Sequence, residues 1–262
     1  MAKRFVNPAF IIMVSVPIAM VLNVLIAMNK PSPVVHQSVD LIFDHVYYRP
    51  WGGEVSGFKD STAKYHRSPC PALNVLANHG FLPRDGKEIT PALFLVSKLP
   101  AEFSLADLGE HNVVEHDASL VHDDSWKGQD PSSVSATLAT NLLSRGNKDR
   151  QLTRTTLARY RFEREADSAA YTPEFKETFT TERALTAYAE AVVMLLVMGE
   201  QSTSISVEHA RAVLVEERLP DDYKKPSEPV TMTQSLWVAL QLETLALLNL
   251  LVADLGFSTI LT

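Results

Sequence analysis

A single cysteine in 262 residues, Cys70, leaves the chain no internal disulfide. Domains on the outer side of a membrane commonly carry disulfides. This lone thiol is therefore buried and inert, paired with another chain, or chemically employed. Without a resolving cysteine, thiol-based redox cycling is disfavoured. Excess basic charge is missing as well. The net charge is −7 with no basic stripe to offset it, so there is no footprint for a nucleic-acid partner. Repeats, low-complexity tracts and convincing pairs of alternating strands are also lacking, which points to a mainly α domain. The apolar share of 46% and the charged share of 21% are those of a globular chain.

What is present begins with an address. After Lys3 and Arg4, residues 9–28 are largely apolar, interrupted only by Ser15, Pro17 and Asn23. A bilayer-spanning helix needs roughly 20 such residues. No small-x-small cleavage site follows, so residues 1–30 read as an uncleaved signal anchor with the remainder lumenal or extracellular. Cleavage and secretion is the alternative. Residues 31–66 form an irregular connecting segment, and residues 67–262 form the domain. Within it, helices are expected at 70–79, at 104–108, at 153–167 as an exposed helix, at 182–198, at 207–217 and at 236–255. The last of these is apolar enough to raise a second span, but polar residues at its centre would each cost about 2–3 kcal/mol in a bilayer.

Cys70 stands between Pro69 and Pro71. Proline is well accepted in the first turn of a helix, so Cys70 falls at the N-cap. There the free N–H groups of Ala72 and Leu73 and the helix dipole favour a thiolate. A thiolate of that kind suits haem iron. A reactive thiol and a capped structural cysteine fit the same three residues.

The wider segment Arg67-Ser68-Pro69-Cys70-Pro71-Ala72-Leu73-Asn74, continuing to Leu82-Pro83-Arg84-Asp85-Gly86, closely resembles the proximal motif of the haem-thiolate chloroperoxidase and unspecific peroxygenase family. Asn112 to Leu120 resembles that family's Glu-His-Asp block. Ala189 to Glu200 resembles its distal helix, and Val215 to Pro220 a recurrent tail. The resemblance implies a single helical haem-thiolate peroxidase-like domain that binds haem b and takes hydrogen peroxide with a small organic substrate or halide. Cys70 maps to the proximal iron ligand, with Ala72 and Leu73 beside it.

Glu190 is the one internal charge of an apolar helix, and a carboxylate there is expensive to bury unpaired. By resemblance it is the distal acid–base group, oriented by His116 and Asp117. Glu115, His116 and Ser119 have i, i+1 and i+4 spacing, so on a helical turn Glu115 and Ser119 would share a face able to grip a hard cation. The resemblance assigns them Mg2+ or Mn2+, and oxygen-rich ligation argues against copper or zinc.

The chain departs from the family pattern in two places. Only 44 residues lie between Cys70 and Glu115, the shortening falling between Thr90 and Pro100. Val121-His122-Asp123-Asp124 also stands where the family commonly has an Arg-Ala-Asp-like stretch. The alternative function is thus a catalytically impaired, membrane-tethered family member that binds a ligand or partner.

Overall fold

The structure, a computed structural model, describes residues 45–89, 102–199, 203–224 and 230–254. The apolar run at 9–28 and the shortened interval at 90–100 lie outside the described residues.

Helices dominate: α1 (Pro71–Asn78), α2 (Ala136–Leu143), α3 (Arg154–Tyr171), α4 (Phe175–Thr178), α5 (Thr181–Val193), α6 (Val207–Leu214) and α7 (Met232–Asp254). A π-type turn over Met194–Met198 continues α5. Short 3-10 helices over Gly52–Glu54, Leu105–Gly109 and Ser125–Lys127 and two short strand pairs complete the described architecture. Parallel β1 (Val55–Ser56) and β2 (Tyr65–His66) form one, antiparallel β3 (Gln151–Thr153) and β4 (Ser204–Ser206) the other. The mainly α expectation agrees with this.

Local chemistry sets the helix starts. Pro71 opens α1 with its fixed φ and spare first-turn position. Thr153, the last residue of β3, caps α3 by accepting from the Thr156 N–H. Ser206, the last residue of β4, caps α6 in the same way through His209. The β3–β4 pair therefore ties the starts of α3 and α6 together, with Leu152 opposite Ile205 in the core.

Buried side chains of α2, α3, α5, α6 and α7 make one apolar core, including Leu142, Leu157, Leu195 and Leu242. A smaller cluster under α1 holds Ala77, Leu82, Ile89, Phe103, Leu105 and Leu108. The exposed helix expected at 153–167 proves to be central, because α3 buries Leu157, Ala158, Tyr160, Arg161 and Arg164. Its two inward arginines find acceptors through their terminal nitrogens, while Arg161 Nε has no partner. Arg164 pairs with Asp124 at 3.0 Å, and Arg161 pairs with Glu165 at 3.0 Å and donates to the Ala118 carbonyl. Helix α7 packs on α3 and α5. No helix of the described residues is long and apolar enough to cross a membrane.

Candidate functional site

Loop, helix start and tail meet at Cys70. Arg67, buried, donates from Nε and one terminal nitrogen to Asn78 Oδ1 at 3.1 and 2.7 Å. Asn74, fully buried, accepts the Ser68 N–H at 2.9 Å and donates Nδ2 to both the Ser68 carbonyl (2.9 Å) and Glu217 Oε1 (2.6 Å). Arg49 closes on the other Glu217 oxygen at 3.0 Å. Gly86 sits at φ +70° against the His66 carbonyl, where a Cβ would lie 2.2 Å from that oxygen. The sequence block around Cys70 is thus a hydrogen-bonded frame that fixes where one thiol points.

That thiol is half-buried at the N-cap of α1, and its side chain makes no capping hydrogen bond. Burial pushes its pKa up. The N–H groups of Leu73 and Ala72 act against burial, while the charges of Glu190 and Glu217 add to it. The expectation of a depressed thiol pKa is therefore corrected: in this apolar setting desolvation outweighs the helix start.

Cys70 lines a cavity of about 360 Å³ whose walls are largely apolar, with Phe58, Pro69, Pro71, Val114, Leu120, Val193 and Met194 among them. Glu190 lines it too, brought there by α5. The Ser119 hydroxyl donates to Glu190 Oε1 at 3.0 Å, and the Leu120 N–H to Oε2 at 3.3 Å. The partly buried carboxylate is thus paired, which offsets the cost of its desolvation.

His116 Nε2 stands 3.5 Å from Glu190 Oε1. Its other nitrogen, Nδ1, lies 2.8 Å from the Asp117 carbonyl, which can only accept, so Nδ1 carries a proton. The Asp117 carboxylate faces away from Glu190 and accepts the Ser125 N–H and hydroxyl at 2.9 and 3.1 Å. Asp117 therefore orients His116 through its backbone.

The segment carrying Glu115 to Ser119 is a chain of turns, not the helical turn assumed from spacing. Asn112 and Ala118 take positive φ values of 67° and 61°. Buried Arg161 and Arg164 hold the Ala118 and Ser119 carbonyls, and Arg183 of α5 holds that of Val113 at 3.0 Å. Glu115 falls with His111 and Asp117, whose ligand atoms all lie within 4.8 Å of one another, whereas Ser119 and His116 turn to Glu190. The carboxylate of Glu115 lies 2.6 Å from His111 Nδ1, and this bond raises the pKa of His111.

Two histidines here belong to no motif. His111 is signalled only by its four-residue spacing from Glu115. His122 is buried, lines the cavity and has its Nδ1 3.4 Å from Ser119 Oγ. Desolvation brings its pKa down to about 4.

The chain is similar to known proteins. An aromatic peroxygenase of Cyclocybe aegerita is 27% identical over 245 residues, which cover 76% of this chain and 63% of that protein. The chain thus spans under two thirds of that relative's length. An aromatic peroxygenase of Coprinellus radians is 29% identical over 208 residues, covering 60% of this chain and 77% of that protein. A chloroperoxidase of Leptoxyphium fumago is 67% identical over 24 residues, 9% of this chain and 6% of that protein. Residues 56–97 and 90–228 match a family profile, the two segments overlapping at 90–97. On that match the chain belongs to the family described as "Peroxidase, family 2".

Proposed function

We propose that this chain is a haem-thiolate peroxidase or peroxygenase, oxidising, oxygenating or halogenating small organic substrates with hydrogen peroxide. One observation carries the proposal: a lone thiol and a hydrogen-bonded carboxylate line the same apolar cavity. The donor set suits haem b. A single soft sulfur serves as axial ligand and the apolar walls suit a macrocycle, with no second thiol competing. Cys70 would hold the iron, and the positive metal offsets the burial that keeps the free thiol protonated. When bound, haem supplies the redox chemistry that peroxide drives.

The chain's own groups handle the proton. Glu190 takes one from a peroxide oxygen and returns it to the other, and His116 Nε2 is placed to share it. Ser119 and the Leu120 N–H keep the carboxylate aimed, and Asp117 fixes the ring of His116 through its carbonyl. Glu115, His116 and Ser119 would take Mg2+ or Mn2+, with the Asp117 carboxylate and His111 beside Glu115, whose carboxylate supplies the hard oxygen donor. The apolar run at 9–28 would anchor the chain in a membrane, or direct its secretion if cleaved.

A spectrum tests the reading. The full chain, supplied with haem, reduced and exposed to carbon monoxide, is expected to show the red-shifted Soret band of thiolate ligation, and Cys70→Ala to lose it. A wild type without that band, or a variant that keeps it, sinks the proposal. Glu190→Gln is expected to keep the band and lose peroxide turnover by about 10²–10⁴-fold. Turnover at the wild-type rate would remove Glu190 from its role.

A further inference from the structure

The proton count around Ser119 leads to one residue beyond the family motifs. A serine hydroxyl has one proton. Here, with Glu190 in its ionised, accept-only resting form, it goes to Glu190 Oε1 at 3.0 Å. Ser119 Oγ can then only accept from its other neighbour, His122 Nδ1, at 3.4 Å. His122 Nδ1 must therefore carry the ring proton, which leaves Nε2 a bare acceptor when the ring is neutral. Nε2 is buried and has no hydrogen-bond partner, and a second ring proton there would make it an unpaired buried cation. The backbone of His122 is pinned by an antiparallel bridge to Val134, so the ring approaches Ser119 from a fixed position.

We infer that His122 is a positioning residue: its Nδ1–H fixes the Ser119 hydroxyl, which in turn aims Glu190 into the cavity. The inference rests on the proposed role of Glu190, and it adds a member that the Glu-His-Asp block does not contain. A packing role alone would require only the ring's shape. A positioning role requires a donor at the Nδ1 position.

Two measurements separate these roles. In the full chain with ¹⁵N-labelled histidine, without haem and at neutral pH, the His122 ring is expected to be the Nδ1–H tautomer. Ser119→Ala is expected to move the proton toward Nε2. An Nε2–H ring in the wild type, or no change in Ser119→Ala, overturns the inference.

With haem bound, His122→Phe keeps the ring shape and is expected to lower kcat for peroxide by about tenfold or more, with KM and the thiolate Soret band unchanged. His122→Asn, whose side-chain amide nitrogen overlays Nδ1, is expected to recover most of that loss. Full turnover in the Phe variant, or an Asn variant as poor as Phe, overturns it. A wild type lacking the thiolate band counts against the haem reading alone, and the tautomer then decides His122.

Discussion

Asp124 shows how a single side chain holds the loop that carries the candidate distal groups. Buried, it accepts the Ala118 N–H at 2.9 Å, Arg164 at 3.0 Å and the Thr172 hydroxyl. Burial pushes its carboxyl up. The hydroxyls of Thr172 and Ser168, the Ala118 N–H and Arg164 together outweigh that and bring it below the usual carboxylate range. Asp124→Ala leaves Arg164 buried without its charge partner, and the expected loss is about 3–5 kcal/mol by chemical denaturation at pH 7. The pH dependence follows from the direction of the shift. A depressed carboxyl pKa contributes stability above its unfolded value of about 3.8, and this is lost as pH falls through the folded value. The stability gap between wild type and Asp124→Asn should therefore be widest above about pH 5 and narrow as pH falls below 3.8. A gap that stays constant with pH would show that Asp124 is not charged in the folded protein.

At the scale of elements, α1 is docked by side chains rather than by a large apolar face. Asn74 and Asn78 both reach Glu217, one through its carboxylate and one through its carbonyl at 3.0 Å, so the tail after α6 clamps the helix that presents Cys70. Asn74→Ala would strand the Ser68 N–H and carbonyl and Glu217 Oε1 together, Arg49 still holding the other oxygen. Each unsatisfied buried group costs about 1–3 kcal/mol. The variant should melt well below the wild type and, when haem is supplied, bind it more weakly than a surface control such as Lys148→Ala. Equal haem affinity would mean that the clamp does not set the thiol.

Sequence made part of this legible. The start of α1 followed from Pro71, and Glu190 stood out as the charge in the apolar stretch that follows the first turn of α5. Reach across the fold was not legible. Arg161 and Arg164 look like solvent charges on α3, yet each is buried because distant carbonyls and carboxylates accept from it. The turn through Ala118 has no glycine to announce its positive φ, so i, i+4 spacing suggested a helix that does not form. His122 gave no signal because its role depends on which way the proton of Ser119 points, and residue spacing carries no such information.

At the scale of the molecule, the arrangement depends on α7, the helix that length and apolarity alone could send into a bilayer. Its partners in the fold explain its character. Val238, Ala239, Leu242 and Ala246 are buried in the same core as Leu157 of α3 and Tyr188 of α5. Gln241 accepts from Arg154 of α3. The same α5 carries Glu190 on its cavity side, so α7 supports the distal wall from behind. Burying a Val or Leu is worth about 1.5–3 kcal/mol. Removing α7 forfeits two such side chains and two alanines, and it also uncovers the faces of α3 and α5 that they pack on. A loss of that size is comparable with the whole stability of an ordinary domain, about 5–15 kcal/mol. A chain ending at residue 230 should therefore lose its cooperative thermal transition and bind a hydrophobic dye, with haem supplied or not. A milder change, Leu242→Ala, should cost about 2–5 kcal/mol and keep the transition cooperative. A truncated chain that still melts cooperatively near the full-length temperature would place α7 outside the core and return it to the membrane question.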